Sequence, residues 1–145
     1  MSEGGTETIR PAKARERAFD HRDLIIAGLL FLVAFLVYVR TLAPDVLFGD
    51  SGEFQVVART GGLAHTTGYP IYLLIARLFT YLPFGSIAYN VNLLSAFMGA
   101  IAVGELFLIG RALGIRATYA IAAAVFLFIN PIFWWQSVIA KVYAI

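Results

Sequence analysis

The sequence has no cysteine, only two histidines and few charges, with Asp, Glu, Lys and Arg together making 14% of 145 residues. Without cysteine there is no disulfide, no thiolate metal ligand and no thiol nucleophile, and the redox compartment is not legible. His21 and His65 stand far apart, which leaves no local histidine pair at the spacing of a zinc site. What abounds is apolar: 60% of residues are hydrophobic, with 12 Phe, 7 Tyr and 2 Trp, and mean hydropathy is +0.80. Soluble domains lie nearer about half apolar and about a quarter charged. The apolar residues also come in runs too long for a small domain to bury. A soluble, nucleic-acid-binding or disordered chain is therefore excluded. The composition is that of an integral membrane protein, and the expected fold class is all-α and multi-span.

The formal charge of +2 matters less than where the charges sit. Residues 1–22 are polar, hold five of the eleven Lys/Arg, and read as a solvated tail. Leu24 to Val39 is apolar without a break between Asp23 and Arg40, about 24 Å of helix. Snorkelling Arg22 and Arg40 extend it to a span over about 23–40. A cleaved signal peptide is the rival reading, with Thr41-Leu42-Ala43 as its small-residue site. A polar connection follows. Residues 70–82, fenced by Pro70 and Pro83, make a helix too short to cross and are expected at the interface. Residues 87–110 and 117–135 supply two further spans. Ser95, Ala96, Gly99, Ala100 and Gly104 suit close packing, and Trp134 and Trp135 suit an aromatic belt. Placing the basic tail in the cytoplasm puts the Arg111/Arg116 turn there too, and leaves loop 41–86 and the C-terminal end extracytoplasmic.

Asp50-Ser51-Gly52-Glu53 is the most informative tetrapeptide. It reads as a capping box, with Asp50 as N-cap and Glu53 three residues on. It also places two carboxylates beside a membrane surface, where partial desolvation raises a pKa toward that of a general base; the two readings are compatible. His65 to Pro70 is a turn leading into a helix, with Gly68 and Pro70 at turn and first-turn positions. Arg77, in an apolar helix, either snorkels or offers its fork to a phosphate. Asn90 and Asn92 read as interhelical hydrogen-bond donors, and Lys141 and Tyr143 as interfacial anchors.

The order of four motifs is more specific than any one of them. TLAPDVLFGDSGEF, HTTGYPIYLLIARLF, AYNVNLLSAF and PIFWWQSVIAKVYA together resemble a membrane family that includes a transmembrane O-mannosyltransferase, a branch of the GT-C glycosyltransferases. The resemblance runs from about Leu24 to Ile145. It implies a multi-span enzyme using a polyprenyl-phosphate-linked sugar, with mannose as one candidate and a protein or glycan acceptor, in the plasma membrane. Asp50 falls on the family's loop Asp, with Gly52 and Glu53 also matching; His65, Gly68 and Pro70 match a His-Pro-x-Gly-x-Pro stretch in which Thr66 replaces the usual Pro. Asn90 and Lys141 depart from the Arg and Glu common there.

The implied chemistry has Asp50 as base, Glu53 beside it, and an inverted anomeric centre. Arg77 and Arg59 steady the donor phosphate, and His65 and Tyr143 contact substrate. No cofactor is required by the sequence, and a divalent metal is left open by one Asp-Glu pair. The alternative class is a non-catalytic scaffold or a transporter part. The chain stops at Ile145 inside an apolar stretch and is expected to be the N-terminal part of something longer, inactive alone.

Overall fold

The computed structural model describes residues 20–66 and 68–142; Tyr143 and nearly all of the polar tail lie outside the described residues. The described residues form six helices and no strand: α1 (His21–Arg40), α2 (Asp50–Thr60), α3 (Pro70–Phe79), α4 (Ile87–Ala112), α5 (Ala117–Ile129) and α6 (Pro131–Ser137). A chain in lipid must satisfy its backbone within the segment, which is why the long apolar stretches are helical. Asp23 in the first turn and Arg40 in the last complement the dipole of α1.

α1 and α4 are long and apolar enough to cross a membrane. They run antiparallel. At one end Asp23 Oδ1 accepts from Arg111 Nε at 2.8 Å, and at the other the Ala43 carbonyl accepts from Asn92 Nδ2 at 2.9 Å. Small residues let the backbones close, as the sequence suggested. A Cβ at Gly104 would stand 3.1 Å from the Ala27 carbonyl oxygen, and one at Gly99 would collide with the Ser137 side chain.

The apolar stretch 117–135, expected as one continuous span, is bent by 65° between α5 and α6. Pro131 has no N–H to give to the preceding turn. The Ile132 and Phe133 N–H groups turn instead to the Asn130 side chain, at 3.0 and 3.1 Å. The Phe128 carbonyl, deprived of Ile132, accepts from the Tyr38 hydroxyl at 3.0 Å. The Leu127 carbonyl accepts from the Asn130 N–H at 3.1 Å, and the bend is tied to α1 through Tyr38.

Two apolar clusters result. One joins α1, α4, α5 and α6 around Tyr38, Val103 and Phe107; the other joins α2 and α3 to α4 around Phe54, Tyr72, Ala76 and Leu94. α3 ends at Phe79, short of the expected Leu82: the Tyr81 and Leu82 N–H groups bond only three residues back, to Leu78 and Phe79, and the Thr80 hydroxyl closes on the Arg77 carbonyl at 2.8 Å. It buries Tyr72, Leu73 and Ala76 yet leaves Ile71, Leu74 and Leu78 exposed, so both faces are apolar. At about 15 Å it is too short to cross.

Candidate active site

The first turn of α2 carries both acidic candidates, and the expected capping box is absent. Gly49, at φ +72°, is the N-cap and no side chain caps the helix, so Asp50 is already helical. A Cβ at Gly52 would collide with the Leu47 carbonyl oxygen, so the strap 43–49 lies directly against this turn only because residue 52 is glycine. Freed from capping, both carboxylates point elsewhere.

Asp50 Oδ2 accepts from Lys141 Nζ at 2.9 Å. Glu53 clamps His65 at two points: Oε1 accepts from the backbone N–H at 2.7 Å and Oε2 meets Nδ1 at 2.6 Å. The His65 ring also packs at 5.7 Å from both Phe54 and Tyr69. Tyr69 holds φ +43°, a left-handed value costly for a non-glycine residue. It is thereby set against Phe54 with ring centroids 5.5 Å apart.

The expectation that desolvation raises these carboxylates is overturned. The Lys141 ammonium, by hydrogen bond and charge, holds Asp50 below its ordinary value. His65, by side-chain and backbone hydrogen bonds, does the same for Glu53. Asp50 is 53% and Glu53 35% exposed, and in each the partner outweighs desolvation.

Lys141 is delivered by a buried polar network. Asn92 Oδ1 accepts from Gln55 Nε2 and from the Ala140 N–H, each at 2.8 Å, and the Leu47 N–H reaches Gln55 Oε1 at 3.2 Å. Ser95 Oγ takes the Lys141 N–H at 3.3 Å. Gln55, Asn92 and Ser95 are all buried. A satisfied network of this kind rigidifies its surroundings, here by tying the strap, α2, α4 and segment 138–141 together.

Arg59 and Arg77 gather at the other end of α2. The Arg59 guanidinium stands 5.3 Å from the Tyr81 ring centroid, and Arg77, beside Tyr81, holds its phenol below the usual value. Arg77 also leans on the C-terminus of α2, where a Cβ at Gly61 would come 2.6 Å from Nη1. With Gly61, Leu63, Leu73 and Leu74 it borders an open cavity of about 230 Å³. Nine residues of helix separate Asp50 from Arg59, about 14 Å. The structure thus gathers Asp50, Glu53 and His65 with Lys141, and sets the two arginines apart.

The sequence marks Lys141 only as an interfacial anchor and a departure from a motif, and gives Gln55 no role. Gln55 shares the buried face of α2 with Ser51, Phe54 and Ala58. An amide on an otherwise inward-facing stripe was the available signal.

The protein O-mannosyl-transferase TMEM260 N-terminal domain family matches residues 50–145, which takes in α2 to α6 and every residue of this cluster. The chain belongs to that family. It is 40% identical over 118 residues to protein O-mannosyl-transferase TMEM260 of Mus musculus, covering 80% of this chain and 17% of the mouse protein. To protein O-mannosyl-transferase tmem260 of Dictyostelium discoideum it is 36% identical over 77 residues, covering 51% of this chain and 9% of that protein. The chain therefore spans less than a fifth of the length of either relative. No solved structure matches. Family and apolar helices together make this a membrane protein of a mannosyltransferase family.

The divalent metal left open by the sequence does not fit these residues. Asp50 is paired with an ammonium and both Glu53 oxygens are engaged by His65. Among the described residues no group of three or more His, Asp or Glu could hold a metal ion.

Proposed function

We propose that this chain forms the N-terminal part of a GT-C-type glycosyltransferase that moves mannose from a polyprenyl-phosphate donor to a hydroxyl of a protein or glycan. The observation that carries the reading is the convergence of Asp50, Glu53, His65 and Lys141 at one end of an apolar helix pair. In this reading the acceptor hydroxyl gives its proton to Asp50 as its oxygen attacks the anomeric carbon. The phosphate leaves from the opposite face and configuration inverts. Glu53 fixes His65, whose other ring nitrogen is offered to the substrate, and Tyr143 joins the substrate contacts. Arg59, about 14 Å down α2, and Arg77, reaching that end of α2 from α3, hold the donor beyond the reacting carbon.

The site lies on the extracytoplasmic side of the plasma membrane and the tail in the cytoplasm. Two features support that orientation: the Arg111 end of α4 meets the tail end of α1, and Arg116 lies beside it, giving the basic residues a common side. The test is transfer by the whole protein that carries this chain, reconstituted in liposomes with a labelled polyprenyl-phosphate mannose and, separately, a nucleotide mannose. The reading predicts transfer from the lipid donor alone, with an inverted product. Transfer from the nucleotide sugar, or retention of configuration, overturns it.

A further inference from the structure

The proton acceptor and the leaving oxygen of an inverting transfer stand on opposite sides of the anomeric carbon. A base bonded at about 2.7 Å to a hydroxyl that lies about 3 Å from that carbon is about 7 Å from the departing oxygen. A cation that stabilises this oxygen must therefore reach about 7 Å from Asp50. The guanidinium of Arg59 is packed on Tyr81, and Arg77 on Gly61 and Tyr81, at the far end of α2. Lys141 starts 2.9 Å from Asp50, on a stem long enough to cover the remaining distance.

Its attachment is uneven. The backbone is fixed, with the Lys141 N–H on Ser95 Oγ at 3.3 Å, the Ser95 hydroxyl on the Lys141 carbonyl at 3.5 Å and the preceding Ala140 N–H on Asn92 at 2.8 Å. The ammonium, in contrast, has Asp50 as its partner among the described residues, and that carboxylate is 53% exposed. The Lys141 side chain is 19% exposed, so its stem is packed and its compact charge lies at the open side; from a pinned backbone, rotation of the four-carbon stem redirects that charge by several ångströms without moving a helix.

We propose that Lys141 is a catalytic residue of this transfer, a cation that neutralises Asp50 before reaction and the departing phosphate oxygen during it. The proposal rests on the mannosyl-transfer reading above. The acceptor O–H bond breaks and its proton goes to Asp50. The acceptor oxygen bonds to the anomeric carbon, and the bond from that carbon to the phosphate oxygen breaks with its electron pair on oxygen. One negative charge thus passes from Asp50 to the polyprenyl phosphate, and the Lys141 ammonium, keeping its protons, follows it.

The experiment compares wild type, Lys141→Met, Lys141→Arg and Asp50→Asn in the whole reconstituted protein, reading the transfer rate and the inhibition constant of added polyprenyl phosphate. Lys141→Met is expected to lose about 10²- to 10³-fold in rate and to bind the phosphate about tenfold more weakly. Lys141→Arg should keep most of the phosphate affinity. Asp50→Asn should lose transfer yet bind polyprenyl phosphate at least as tightly as wild type, because its lysine is released; this arm holds even where Lys141→Met fails to fold. Equal weakening of phosphate binding in Asp50→Asn and Lys141→Met, or unchanged inhibition in Lys141→Met with wild type active, overturns the proposal alone. A wild type that neither transfers from polyprenyl-phosphate mannose nor is inhibited by polyprenyl phosphate overturns the donor reading and this proposal with it.

Discussion

Two carboxylate–cation pairs of nearly the same length tie the helices at different places: Asp23 with Arg111, 2.8 Å, joins α1 to α4, and Asp50 with Lys141, 2.9 Å, joins α2 to segment 138–141. Their surroundings differ. The Asp23 and Arg111 side chains are 11% and 22% exposed, and Arg111 also donates Nη1 to the Ile115 carbonyl at 2.6 Å. A planar fork with two fixed acceptors has nowhere to go, so this pair staples α1 to α4. The Asp50 carboxylate is open to solvent and its lysine has one side-chain partner. The two cations are alike in exposure, 22% for Arg111 and 19% for Lys141, so the pairs differ in their carboxylates and in the second acceptor that Arg111 alone has; on the proposal above, the Asp50 pair is the one that exchanges partners.

The comparison breaks most visibly at Gly52. In Gly52→Ala the new methyl meets the Leu47 carbonyl, which cannot retreat freely because Gln55 holds the Leu47 N–H. The first turn of α2 must shift, and Asp50 with it. With Asp50 as the proposed base, a displacement of about 1 Å there costs about 10²-fold in rate, measurable as transfer per folded molecule in the whole protein. Asp23→Asn has the opposite signature. It weakens a charged hydrogen bond, so unfolding in detergent titrations should show a loss of about 1.5–3 kcal/mol, while transfer per folded molecule stays at the wild-type rate.

The smallest effect concerns Glu53. Its carboxyl titrates below its ordinary value of 4.5 in the fold. The clamp on His65 therefore contributes stability above that pH, and loses it as pH falls through the lower folded value. Hydrogen exchange at the His65 amide should be slow from pH 7 down to about 4.5, allowing for intrinsic rates, and should quicken below it. In Glu53→Gln the protection should be weaker and this acid transition absent.

The sequence made the two long helices legible because α1 and α4 are runs of apolar residues bounded by charges, and such runs have one stable form in lipid. α3 was legible from its proline fences and its length. The bend at Asn130-Pro131 was missed although proline announces it, because the stretch was read by hydropathy, which ignores a missing N–H. The capping box was misread by one residue. Gly49 takes the cap position through its positive φ, and no spacing rule distinguishes that from an Asp50 cap. Asp50, Glu53 and His65 could be nominated from local pattern and resemblance. The partnership of Asp50 with Lys141 could not, since 91 positions separate the two and only the packing of segment 138–141 on Asn92 and Ser95 brings them together.

The most direct test sets the two ion pairs against each other: transfer rates of Asp50→Asn and Asp23→Asn in the whole reconstituted protein, normalised to folded material. The account predicts that Asp50→Asn loses about 10²- to 10⁴-fold, the usual contribution of a general base, and that Asp23→Asn keeps the wild-type rate. An Asp50→Asn protein that transfers mannose as fast as wild type would contradict it.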